Sequence, residues 1–82
     1  MVPKLVRIRI GIRLRLARAA RRVALQDVAR ACNVSRQAVS LWERGETMPT
    51  AQRLDRAAKY LGVSTHWLLT GDEPPATGGV RP

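Results

Sequence analysis

The stretch LQDVARACNVSRQAVSLWERG, residues 25–45, holds two short helix patterns on either side of a brief interruption. Leu25, Val28, Ala29 and Cys32 recur at i, i+3, i+4 and i+7, the apolar face of one helix. Asn33 tolerates the left-handed conformation that a helix end often needs. Ser35 then offers a side-chain N-cap. A second helix follows to Arg44, with Ala38, Val39 and Trp42 turned inward, and Gly45 stops it. Two short helices joined through Asn33-Val34-Ser35 have the local geometry of a helix-turn-helix. Ala29 must be small because the following helix crosses close above it, and Val28, Val34 and Val39 set the crossing from inside. The outer face, made of Arg36, Gln37, Ser40, Leu41 and Arg44, is left free to enter a major groove.

Working outward, the loop Glu46–Pro49 leads to Thr50, the cap of a helix from Ala51 to Leu61 that buries Leu54, Ala57, Ala58 and Leu61. Gly62 closes it, and Ser64 caps a last short helix, THWLLT, that stops at Gly71. Upstream, LVRIRIGIRLRLARAARR (residues 5–22) has no single period. From Val6 to Leu16 it alternates apolar and basic residues as a half-buried strand does. From Ile10 onward, Ile10, Leu14, Ala17 and Arg21 also share a helix face. The reading is a first helix over Ile10 to Arg22. Residues 1–9 are read as an extension, because Pro3 and the alternation do not support a helix there. The Pro- and Gly-rich residues 72–82 are read as a flexible tail, which leaves 10–71 as the domain. Five helices and no convincing strand give an all-α class.

Composition narrows the partners. The 82 residues allow one domain with a small core. Fifteen Lys and Arg against six acids give a formal charge of +9, which favours nucleic acid or an anionic membrane as partner. Most of the cations are arginine, which forks onto phosphate and guanine better than lysine does. Cys32 is the single cysteine, so no disulfide framework and no Cys-based metal site is expected. No apolar run is long enough to span a membrane. Arginines interrupt every candidate signal-peptide core, and a transit peptide is disfavoured by the lack of Ser and Thr before residue 35. His66 reads as a surface residue, and Trp42 and Trp67 sit at core spacing. No nucleophile–base arrangement is available, so neither enzyme, cofactor nor small-molecule ligand is expected.

The segment VALQDVARACNVSRQAVSLWERGETMPT, followed by LDRAAKYLGVSTHWLLTG, resembles the helix-turn-helix domains of phage repressors and Cro proteins, the XRE family. The resemblance covers Ile10 to Gly71. It implies a compact five-helix repressor-like bundle whose second and third helices form the helix-turn-helix. It further implies a first helix opening on Ile10-Gly11, and an ion pair between Arg18 and Glu43 of the Trp-Glu motif. Ala24 and Leu25 depart from the family, which has Ser or Thr and then Gln there, residues that help to hold a phosphate. Gln26 or Arg22 can substitute, aided by backbone N–H groups at the helix N-terminus. Ile12 and Leu16 are apolar where the family is usually polar. With Val6 and Ile8 they form a candidate dimerisation surface, and residues 1–9 add either a strand that pairs with its own copy or a basic arm whose Lys4, Arg7 and Arg9 reach phosphates.

Sorted by chemistry, Arg36 and Gln37 are the candidates for guanine and adenine edges, with Ser40 and Leu41 for a base edge and a thymine methyl. Arg22, Gln26, Ser35, Arg44 and Thr47 are the candidates for phosphates. The expected activity is a small sequence-specific regulator, Cro-like or a short repressor, acting in the cytoplasm as a homodimer on a two-fold operator in double-stranded DNA. Rival readings are the DNA-binding antitoxin of a toxin–antitoxin pair, an interaction module that kept the fold and lost DNA, and a cationic membrane-surface protein acting through residues 5–22.

Overall fold

A computed structural model describes residues 2–72. The order is α1 (Lys4–Arg21), α2 (Leu25–Cys32), α3 (Arg36–Glu43), α4 (Ala51–Leu61) and α5 (Thr65–Thr70), with no strand among the described residues. The four later helices start where the sequence places them, and α3 ends one residue before the expected Arg44. The expected tail lies, apart from Asp72, outside the described residues.

α1 corrects the sequence reading. It begins six residues before Ile10, so the extension expected over residues 1–9 is mostly helix. Pro3 stands at the N-cap, and its carbonyl accepts from the Arg7 N–H at 3.1 Å. Proline restricts the residue before it, not those after it, and its fixed φ suits a helix start. Val6 and Ile8 therefore offer no free strand edge, and the strand form of the expected dimer contact is withdrawn.

The inner face of α1 explains why so many arginines occur with no acid among them. Ile10, Leu14 and Ala17 are buried in the core, while arginines on and beside the same face reach the ends of other helices. Arg7 Nε donates to the Gly45 carbonyl just past α3 at 3.2 Å, and Arg21 Nη1 donates to the Leu61 carbonyl ending α4 at 3.2 Å. Arg13 Nη1 donates to the Leu68 carbonyl in the last turn of α5 at 3.0 Å. Helix C-termini carry partial negative charge and orphan carbonyls, so a guanidinium there completes both. Arg13 and Arg21 also lie across the C-cap glycines Gly71 and Gly62.

Three helix ends share one device. Arg22, Asn33 and Gly62 adopt left-handed φ of 55°, 58° and 72°, and each is followed by a valine. The Val23, Val34 and Val63 N–H groups return to the Arg18, Ala29 and Ala58 carbonyls at 3.0–3.2 Å. All three valines pack against the core, the apolar contact that accompanies this C-cap. The core they close joins buried residues from all five helices, from Ile10 on α1 to Leu68 on α5.

Candidate nucleic-acid interface

α3 is held at both ends and from behind, which leaves its outer face open. Ser35 Oγ accepts from the Ala38 N–H at 3.1 Å, a cap that stabilises a helix by about 1 kcal/mol. Val39 and Trp42 are buried. At its far end α3 meets α1 so closely that a Cβ on Gly11 would strike the Trp42 and Glu43 carbonyls. Beside that contact Arg18 grips Glu43 with two bonds, Nε–Oε2 at 2.7 Å and Nη2–Oε1 at 3.1 Å, and its third nitrogen reaches the Val23 carbonyl at 3.1 Å. The two side chains are only 21% and 9% exposed, so the fork is shielded from water and orients α3 on α1. The hydrogen bond to Glu43 raises the Arg18 pKa above its ordinary value, against the opposing effect of burial.

Of the residues set against base edges, Arg36 and Gln37 are exposed in the first turn of α3, and neither makes a hydrogen bond within the described residues. Ser40 and Leu41 are half-buried one turn on. Of those set against phosphates, Arg22, Gln26, Ser35, Arg44 and Thr47 are all exposed. Ser35 already uses its oxygen as the cap acceptor, which leaves its hydroxyl proton free to donate. Arg22 holds the left-handed residue after α1, immediately before the helix-turn-helix.

Two acids temper this surface, and the sequence reading passed over both. Asp27 Oδ2 accepts from the Ala24 N–H at 3.0 Å, so the absent Ser or Thr cap is partly replaced from inside α2. That carboxylate stands where an anion would approach the α2 N-terminus. Its other oxygen lies 3.5 Å from the exposed Arg30. Glu46 lies 3.7 Å from Arg44, a loose exposed pair that a phosphate can displace. Leu25, where the family has Gln, packs against the core and is lost as a polar contact.

A further basic feature was also passed over. Arg53 and Arg56 line a shallow concavity with Gln52, Asn33 and Cys32 beside the turn of the helix-turn-helix. Its signal was the exposed i, i+1, i+4 spacing of Gln52, Arg53 and Arg56 on α4. Cys32 is buried, its Sγ donates to the Arg53 carbonyl at 3.5 Å, and burial pushes its thiol pKa up against the pull of the two arginines. A protonated, enclosed thiol is a packing group rather than a nucleophile.

Comparison with known proteins agrees with this geometry. A family model of helix-turn-helix domains matches residues 14–68. The HTH-type transcriptional regulator DicA of Escherichia coli is 39% identical over 64 residues, 78% of this chain and 47% of that protein. The regulator DdrOP3 of Deinococcus deserti is 39% identical over 61 residues, 74% of this chain and again 47% of the relative. The chain thus spans about half the length of either. Among solved structures, the clp gene regulator ClgR of Corynebacterium glutamicum superposes with a TM-score of 0.76 at 34% identity, over 82% of this chain and 72% of that one. The P22 c2 repressor, solved in complex with a synthetic operator, gives 0.73 at 35% identity, over 77% and 96%. With its two central helices, its Arg18–Glu43 fork and this match over most of its length, the chain belongs to the Cro/C1-type (XRE) helix-turn-helix family.

Proposed function

We propose that the chain binds double-stranded DNA as a sequence-reading regulator of transcription, two copies to a two-fold operator in the cytoplasm. The observation that carries this is the first turn of α3, where Arg36 and Gln37 stand exposed and unengaged on a helix fixed by the Ser35 cap and the Arg18–Glu43 fork. Arginine forks onto guanine O6 and N7, and glutamine onto adenine N6 and N7. The surplus of positive charge supplies the sequence-independent attraction to phosphate. Arg22, Arg44 and Thr47 fit as phosphate contacts, with Arg53 and Arg56 added at the flank. Two copies match half-sites about 34 Å apart and double a small module's contact area.

Selection of bound sites from random duplexes tests this reading. The wild-type chain should enrich one motif with two-fold symmetry. Arg36→Ala and Gln37→Ala should each relax the preference at particular positions, by about 1–3 kcal/mol of discrimination. Enrichment of the same motif with the same stringency by both variants would move base reading away from α3. Absence of any enriched motif would remove sequence-specific binding altogether.

A further inference from the structure

The solvent face of α1 carries an apolar stripe that neither the core nor the proposed DNA surface uses. Leu5, Ile12 and Leu16 are 56%, 50% and 57% exposed, and they account for three of the six large apolar side chains exposed among the described residues. Residues 5, 9, 12, 16 and 19 recur at alternating steps of four and three, the mean of 3.5 that marks the contact seam of one helix against another. They read Leu, Arg, Ile, Leu and Ala, a seam about 21 Å long at 1.5 Å per residue. Arg9 sits within it and Arg15 beside it. Neither has a hydrogen bond or ion pair among the described residues, whereas Arg7, Arg13, Arg18 and Arg21 are all engaged inward.

We infer that this face docks an amphipathic helix of a partner protein, with an apolar seam, acidic flanks and a carboxylate opposite Arg9. Charge selects this occupant. α1 bears no acid, and Arg9 lies in the seam with Arg15 beside it, so a second copy would set these like charges against each other and bring Arg9 into an unpaired interface. A lipid surface is a poorer fit, because the stripe is narrow, has no aromatic residue and includes Arg9. α1 packs on α3 through Gly11, on the side away from the stripe. The stripe residues are exposed with α3 in place, so an incoming helix need not displace it.

The test uses the whole chain and two synthetic three-heptad helical peptides with the same Leu/Ile seam, one flanked by Glu and the other by Lys. Anisotropy titration should show saturable binding of the Glu peptide and none of the Lys peptide. Ile12→Asn with Leu16→Gln should weaken that binding about tenfold or more with helicity and melting unchanged. Arg9→Glu with Arg15→Glu should reverse the preference, which a merely misfolded variant cannot do. Binding of neither peptide, or of both alike, overturns the inference. So does a homodimer abolished by the Ile12/Leu16 variant, or uptake on phosphatidylserine vesicles in place of peptide binding.

Discussion

Arg22 meets two demands at once. Its φ of 55° puts an ordinary L-residue in the left-handed region, at a cost of about 1–2 kcal/mol that glycine avoids. Glycine returns part of that gain through the greater freedom it gives the unfolded chain. Arg22→Gly should therefore raise stability by about 0.5–1 kcal/mol in a thermal melt. If Arg22 touches a phosphate, the same change lowers DNA affinity and makes it less salt-dependent. A stabilised variant with unaltered affinity would strike Arg22 from the phosphate contacts. The neighbouring helix ends use Asn33 and Gly62 at the equivalent point, which isolates the arginine as the departure.

Among elements, the α1–α3 contact decides how α3 is presented. Gly11 lies against backbone carbonyls, which cannot swing aside as a side-chain tip can. Gly11→Ala should force the helices apart and cost about 2–3 kcal/mol, read as a lowered denaturant midpoint with unchanged slope. A neutral result would mean that the contact yields without strain. The ends of α2 to α5 were legible in the sequence because Asn33, Ser35, Gly45, Thr50, Gly62, Ser64 and Gly71 each carry a local backbone preference. The start of α1 was not. Its apolar–basic alternation fits a strand locally, and the distant carbonyl of Gly45 is what gives Arg7 a reason to lie along a helix. The outer face of α3 was legible from spacing. Asp27 and Glu46 were missed because their effect depends on what stands beside them in space, Ala24 and Arg44.

At the scale of the whole molecule, net charge overstates the cations open to phosphate. Arg7, Arg13, Arg18 and Arg21 are turned to carbonyls or to Glu43, so on the proposed function they serve DNA through the general field rather than by contact. Arg44 is exposed and only loosely held by Glu46. Arg44→Ala should weaken binding to every duplex alike and reduce the salt slope by about one. Loss confined to a single operator base would contradict a phosphate role. The guanidinium caps have a consequence for how the domain opens. Because one helix supplies the donors that finish three others, undocking α1 uncovers the terminal turns of α3, α4 and α5 together. Amide hydrogens there should then exchange with deuterium at one common free energy, as a single cooperative unit, and Arg21→Leu should release the last turn of α4 from that unit while its companions keep their protection.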